Sequence, residues 1–443
     1  MGPSGPRGSL APMSEQQREI RVGLLGCGNV GGALVPLVAE RADEIARRTG
    51  VRLSIERVAV RNTARDRGID FGDGVLTHDA MSVVTDPDID VVVEVIGGIE
   101  PARGLISAAL AAGKPVITGN KELLANVGVE LFQLADEHGV DLLFEAAVAG
   151  GIPLIRPLRE SLRGEPVSRV RGILNGTTNF ILSKMANEGA DYADALSEAQ
   201  RLGYAERDPT ADVEGFDAGA KAAIIATIAF GAKVVAGDVY HEGISGITAG
   251  DIAIAARLGY AVKLLGIAEK DRSTGAVAVR VHPTMVPLDH PLASVRDSFN
   301  AVFVEGDAVG SLMFFGRGAG GAPTASAVLG DLVDAAVNLA AGTHGSLGSF
   351  DRAKALPIDE TSSEYLLALD VADRPGVLHQ VTGVFARHGV SIRAAEQEGH
   401  GPEARLVFIT HTAREADVQA TVAELRDLDV VGRIGGLLRV IGE

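Results

Sequence analysis

The sequence predicts a three-part α/β chain: a doubly wound parallel sheet over residues 20–150, an α+β region over 151–320, and a small βαββαβ module over 364–443. Three observations carry this. Short apolar runs alternate with helical patterns from residue 20 onward, the sign of a parallel sheet with crossover helices. The alternation stops at Gly150-Gly151-Ile152-Pro153. A segment without apolar periodicity, His344–Ser363, then separates a last stretch of short strands and helices.

Element by element, residues 20–26 (IRVGLLG) read as a strand entering a glycine turn, and Val30–Arg47 as the helix after it. Leu53–Val60, Val91–Ile96, Pro115–Thr118 and Val140–Glu145 read as further strands, with helices over Pro101–Ala112 and Lys121–Glu137 between them. Pro153–Arg163 looks helical, and Val167–Leu174 looks like a strand ending at Asn175-Gly176-Thr177-Thr178-Asn179. Ala-rich helices follow, then strand character at Ala276–Pro287 and Ala301–Phe314. The glycine-rich run from Gly316 opens a helix through Ala341, expected to return to the first domain over 321–345, with a linker over 346–363. The module then reads strand (Tyr365–Val371), helix (Gly376–His388), strands (Val390–Glu396, Ala404–Thr410), helix (Glu415–Asp427) and strand (Gly436–Ile441). That order is ferredoxin-like.

Composition narrows the chemistry. The net charge of −17 opposes any general affinity for nucleic acid or anionic membranes, which need a basic footprint. Cys27 is the only cysteine, so an intrachain disulfide, a cysteine-based zinc site and an iron–sulfur site are excluded, and a reducing cytoplasm is the expected compartment. No run of eighteen apolar residues occurs. The Gly/Pro/Ser-rich lead within residues 1–19 has no hydrophobic signal core; it reads as a disordered or tag-derived segment, with Met13 a plausible natural start.

Gly26-Cys27-Gly28-Asn29-Val30-Gly31 is a GxGxxG placed between a predicted strand and a predicted helix, the context in which backbone amides receive a pyrophosphate. An NAD-specific site would put an acid at the end of the second strand; here Arg61 and Arg65 stand there, and a guanidinium suits a 2′-phosphate, so NADP(H) is expected over NAD(H). Oxidising an aldehyde to an acyl group would need a nucleophilic cysteine, and Cys27 lies inside the loop. Hydride exchange between an alcohol and a carbonyl is what remains.

Asp217 and Lys221 lie four apart in an Ala-rich helical run, with Glu206 in the preceding turn. Taken alone, such a pair is more often an exposed intrahelical ion pair worth roughly 0.3–0.5 kcal/mol. In a dehydrogenase it has other uses, since an alcohol losing hydride needs a base for its proton and an amino acid's ammonium needs carboxylates.

Together, Gly26–Gly31, Gly97-Gly98, Thr118-Gly119-Asn120-Lys121, Glu145–Pro153, Asn175–Asn179, Gly203–Pro209 and Asp217–Lys221 resemble homoserine dehydrogenase, in the family's order over residues 20–345. The resemblance implies reversible interconversion of L-homoserine and L-aspartate 4-semialdehyde with NAD(P)(H), on the route to threonine, methionine and isoleucine. It implies proton transfer by Lys221, a second catalytic lysine in Lys121, and substrate contacts from Asp217, Glu206, Gly203 and Thr178. Cofactor contacts would come from Gly26, Gly28, Asn29, Val30, Gly31, Arg61, Gly97, Gly98, Lys121, Gly203, Glu206 and Gly321. A monovalent cation, sodium, is implied at Glu145 and the carbonyls of Val148, Gly150 and Ile152.

Residues 365–443 resemble an ACT domain, with Asp373-Arg374-Pro375-Gly376-Val377-Leu378 at the first strand-to-helix turn. This implies feedback inhibition by L-threonine through Asp373, Gly376, Val377, Leu378, Ser391 and Ile392, and a homodimer or homotetramer. Two other readings stay open: an NADP-linked dehydrogenase of another small hydroxy acid or semialdehyde, and a non-catalytic amino-acid sensor. The first leaves Asp217 and Glu206 without an ammonium; the second leaves Lys121, Glu206, Asp217 and Lys221 without a task.

Overall fold

A computed structural model describes residues 17–399 and 404–442. Most of the expected lead lies outside these residues, and Arg18 and Glu19 already belong to the first strand.

The first strand, Arg18–Leu25, pairs in parallel with Val51–Ala59 on one side and Val91–Glu94 on the other. Leu76–Thr77, Val116–Thr118 and Leu142–Leu143 complete a six-stranded parallel sheet whose strand order reverses at that first strand. Such a reversal opens a crevice beyond the carboxyl ends of the two strands that diverge there. Gly26 follows one of them and Gly97-Gly98 follow shortly after the other, so the reversal brings the two glycine turns to the same crevice.

Alternation in the first strand sends Ile20, Val22 and Leu24 to one face, where they pack with Leu34 and Val38 of the helix Asn29–Thr49. The helix Gly321–Ala341 packs into that same cluster through Val328, Leu332, Ala335 and Ala336. It is long and apolar enough to cross a membrane. Here it is a core helix of the nucleotide sheet, and Asp331 and Asp334 on it pair with Arg156. The helices Ala102–Ala111 and Lys121–His138 cover the opposite face.

The second sheet is mixed. Its first half runs Gly310–Arg317, Phe299–Gly306, Val167–Ile173, Tyr260–Lys270, Val277–Pro287, all antiparallel. The C-terminal module supplies the rest: Val431–Val440, Ser362–Val371, Arg405–Thr410, Ile392–Glu398, again antiparallel. The halves join through a short parallel ladder, Thr284 opposite Arg439 and Met285 opposite Val440.

Several expectations are corrected. Ala301–Phe314 is a hairpin rather than one strand, because Gly310, in the left-handed region at φ 70°, lets the chain reverse. Tyr260–Lys270 was not foreseen as a strand; it is central and buried on both faces, so the alternation that marks half-buried strands is missing. Val140–Glu145 shrinks to two paired residues, and Glu145 opens a tight helical turn instead. The helix expected over Pro153–Arg163 is present but short, running from Ile155 into a wider π-helical turn at Pro157–Ser161. Within the expected linker, Asp351–Arg352 pairs with Ala232–Lys233 and Phe350 packs on Phe132.

Tyr365 is fully buried and its hydroxyl donates to Glu415 Oε2 at 2.7 Å. Tyr365→Phe leaves that buried carboxylate short of a donor and is expected to cost about 2 kcal/mol. Urea unfolding followed by circular dichroism measures it; an unchanged midpoint refutes the estimate.

Candidate active site

At the first turn of the nucleotide sheet, the helix Asn29–Thr49 starts at Gly28 with no side-chain cap, which leaves its leading amides for a ligand. A Cβ on Gly31 would lie 2.2 Å from the Gly26 carbonyl oxygen, so glycine is required there. At Gly28 a Cβ would meet nothing within 4 Å, so the loop stands open where a pyrophosphate would approach. A Cβ on Gly321 would come within 2.9 Å of the Asn29 carbonyl oxygen, which places the start of the returning helix directly against this loop.

The second glycine turn is held by a buried acid that the sequence reading missed. Glu94 accepts from the amides of Ile96 at 2.7 Å and Gly97 at 3.1 Å, and from Thr118 Oγ1 at 2.6 Å. Asn120 donates to the Gly98 carbonyl at 2.6 Å while its Oδ1 caps the next helix at the Leu123 amide. That helix therefore begins at Lys121, beside the crevice.

Gly215, at φ 83°, turns the chain into the helix Phe216–Phe230, so Asp217 falls in its first turn and Lys221 one turn later. Asp217 is buried, and its carboxylate meets Lys121 Nζ on one side and Lys221 Nζ at 2.7 Å on the other. Asn175 Nδ2 donates to it at 2.9 Å and to Asp212 at 2.7 Å, while Lys221 also donates to the Leu174 carbonyl at 2.7 Å.

Charge states follow from this packing. Burial opposes the Asp217 anion, but Lys221 and Lys121 overcome it and hold the carboxyl well below its usual range. Burial is also the largest influence on Lys221; with repulsion from Lys121 it outweighs Asp217 and lowers that ammonium's pKa. Lys121 is half-buried, and there the pull of Asp217 prevails over burial, so its pKa rises. The lysines thus part: one stays cationic and the other gives up its proton more readily.

A cleft of about 1250 Å³ opens here, lined by Lys121, Gly203, Glu206, Asp212, Asp217 and Lys221, with Gly318–Gly320 also on its wall. Asp212 was not foreseen. Burial and the neighbouring Asp217 raise its pKa despite the bond from Asn175. Its only sequence signal was being one of three acids, with Asp208 and Glu214, between Glu206 and Asp217.

Thr178 is not on the cleft wall: it is buried, its amide donating to Asn175 Oδ1 and its hydroxyl to the Asn175 carbonyl, because Asn175 caps the helix Gly176–Glu188. Its neighbour Thr177 lines the cleft. The carboxylate expected at the cation site is likewise engaged, since Glu145 accepts from the amides of Ile155 at 2.7 Å and Arg156 at 2.8 Å, and from that of Leu154. Its carbonyl, which takes only a long 3.4 Å bond from the Val148 amide, sits with those of Val148, Gly150 and Ile152 around a turn where Ala149 and Gly150 are left-handed. Arg61 is exposed beyond the second strand, with Arg65 nearby. Arg67, unforeseen, folds back to donate to the carbonyls of Arg65 and Asn62, both at 2.7 Å. Burial raises the Cys27 thiol against the pull of Arg67, which suits a packing residue. In the C-terminal module Gly376, at φ 92°, starts the helix Val377–Arg387; Asp373, Leu378 and Ser391 are exposed, Ile392 half-buried and Val377 buried.

Three family models match in succession: the homoserine dehydrogenase NAD-binding domain over 26–145, homoserine dehydrogenase over 153–333 and the ACT domain over 365–430. The homoserine dehydrogenase of Corynebacterium glutamicum is 50% identical over 429 residues, covering 95% of each chain. The chain belongs to the homoserine dehydrogenase family. That of Mycobacterium tuberculosis is 49% identical over 440 residues, 97% of this chain and 99% of the relative. The crystal structure of a homoserine dehydrogenase from Thiobacillus denitrificans superposes with a TM-score of 0.90 at 43% identity, covering 96% of this chain and 98% of that one. A hyperthermophilic archaeal homoserine dehydrogenase in complex with NADPH matches at 0.62 and 30% identity, over 72% and 98%. As a member, the chain is an oxidoreductase acting on a CH–OH group, with an NAD(P)-binding domain, a catalytic domain and an ACT domain.

Proposed function

We propose that Lys221 moves the proton in the interconversion of L-homoserine and L-aspartate 4-semialdehyde, on the observation that the two lysines sharing Asp217 are driven to opposite protonation tendencies. NADP+ supplies the hydride acceptor when bound. In the oxidative direction neutral Lys221 accepts the hydroxyl proton as the C–H bond breaks; in reverse, its ammonium donates to the carbonyl oxygen. Lys121, cationic, stabilises charge developing on that oxygen. Asp217 orients both lysines, and Glu206 and Asp212, which line the cleft together with Glu122, Asp208 and Asp297, are the carboxylates we assign to the substrate ammonium.

Arg61 and Arg65 favour the 2′-phosphate of NADP(H), and a relative of this fold is known in complex with NADPH. The carbonyls of Glu145, Val148, Gly150 and Ile152 would hold Na+, a hard cation suited to an all-oxygen turn. The ACT domain is the seat proposed for L-threonine, binding at Asp373–Leu378 and Ser391-Ile392, and the chain works as a cytoplasmic homodimer or homotetramer.

The deciding assay follows reduced nicotinamide absorbance with L-homoserine and NADP+, with and without L-threonine. Wild type turns over and threonine slows it; threonine without effect removes the regulatory reading. Lys221→Met is expected to lose at least about a thousandfold in kcat while keeping NADPH affinity, as for loss of a proton-transferring group held in place. Retained turnover excludes Lys221.

Lys121 repels the Lys221 ammonium, so Lys121→Met raises the Lys221 pKa, and the rising acidic limb of homoserine oxidation, set by deprotonation of Lys221, moves to higher pH. A limb that stays or moves to lower pH contradicts the shared-carboxylate reading. Arg61→Asp is expected to cut the NADP+ over NAD+ preference by about tenfold or more, through loss of one charge-assisted bond and gain of a repulsion. The ratio of kcat/KM values reads it, and an unchanged ratio removes Arg61 from the phosphate site.

A further inference from the structure

Where the C-terminal sheet joins the catalytic sheet, the side chain opposite Thr284 is Arg439, and it is 2% exposed. Its guanidinium bridges two carboxylates. Nε and Nη2 grip Glu415, at the start of a helix of the C-terminal module, at 2.8 and 2.7 Å, while Nη1 donates to Glu242 of the catalytic region at 2.6 Å. The cation lies 5.5 Å above the Tyr240 ring, whose hydroxyl donates to the same Glu242 oxygen at 3.3 Å. Other ion pairs across this junction, Arg257 with Glu396 and Glu398, are exposed and would hold little. Arg439 and Glu415 are buried and paired bidentately, the kind of contact that resists sliding, while Glu242 keeps an edge to solvent.

Glu242 is anchored in turn. Its amide donates to the Val281 carbonyl at 2.8 Å, continuing the two-residue ladder of Tyr240 and His241 along the strand Val277–Pro287. His241, one residue before, turns toward the catalytic helix: its ring packs on Phe216 at 5.0 Å between centroids. A Cβ on Gly219 would lie 2.1 Å from His241 Nε2, so the imidazole rests directly on helix backbone midway between Asp217 and Lys221. Phe216 and His241 line the substrate cleft on one side. On the other they line a groove of about 460 Å³ whose far wall is Gly436-Leu437 of the C-terminal strand. They are a partition between the two spaces.

We infer that Arg439 is a positioning residue for the dehydrogenase reaction: by holding Glu242 it seats His241 against Gly219, and so fixes the wall of the substrate cleft to the C-terminal strand. This rests on the assignment of the cleft around Asp217 and Lys221 as the substrate site. A displacement of the C-terminal strand that draws Arg439 toward Glu415 releases Glu242, and the partition moves with it. Substrate binding responds before the proton-transfer groups do, because His241 touches the helix between Asp217 and Lys221 without touching either ion pair.

Full-length Glu242→Gln tests this, because it keeps the side chain's shape and leaves Arg439 paired to Glu415. KM for L-homoserine is expected to rise about fivefold, with kcat and the NADP+ KM each within about twofold of wild type, the scale of a positional coupling. His241→Asn is expected to raise the same KM, and in the double variant the two effects do not multiply, because they lie on one path. A homoserine KM for Glu242→Gln indistinguishable from wild type overturns the inference, as does a double variant in which the effects multiply. If His241→Asn fails to fold, Glu242→Gln decides alone. The outcome is separate from the Lys221 assignment, which fails only through retained turnover in its own variant.

Discussion

Everything in the cleft depends on one buried anion. Asp217 lies where burial opposes its charge, and it stays ionised because cations reach it from two directions. Lys221 comes from its own helix, and Lys121 from the start of a helix of the nucleotide domain. Asn175 adds a third tie from the end of a central strand of the second sheet. Removing any of them would leave charge uncompensated in a dry place, so the three segments must assemble together. The constraint that stabilises the junction is thus the one that sets the protonation of the lysines.

The layout of the sheets delivers those segments. A parallel sheet whose order reverses at its first strand can bind a dinucleotide only beyond the carboxyl ends, and that is where Lys121 emerges. The antiparallel sheet presents Leu174 and Asn175 at the end of a strand flanked on both sides, which makes them poor candidates for movement. The same sheet runs on into the C-terminal module through a ladder two residues wide. So narrow a backbone link leaves the hold between the parts to side chains, chief among them Arg439.

Much of the fold was legible because its signals are local. The glycine spacing at 26–31, the alternation of strands and helices, and the βαββαβ order each follow from short-range pattern. Tyr260–Lys270 was not legible, because a strand covered on both faces reads like any apolar run. The hairpin Phe299–Arg317 hid for a different reason: its turn is short and both arms are strand-like. In the site, Asp217, Lys221 and Lys121 could be named from spacing and resemblance. Asp212 and His241 could not, since each acquires its role from a neighbour far away in the chain, and Glu94 could not because an acid at the end of a buried apolar strand carries no pattern of its own. Thr178 and the Glu145 carboxylate went the other way: both types suit ligand contact, and both are used up by backbone amides or carbonyls next to them.

By itself the sequence determined the class of chemistry. A phosphate loop, a single cysteine unsuited to nucleophilic work and two lysines near acids leave hydride exchange with a proton carrier, whatever the packing. Only the tertiary structure decided how the two lysines differ in their hold on a proton. Lys221 and Lys121 are alike as residues and share one carboxylate, but one is buried and the other is half open. Desolvation, with repulsion from Lys121, acts on the buried ammonium more strongly than Asp217 can offset, and a sequence does not record how much water a side chain loses on folding.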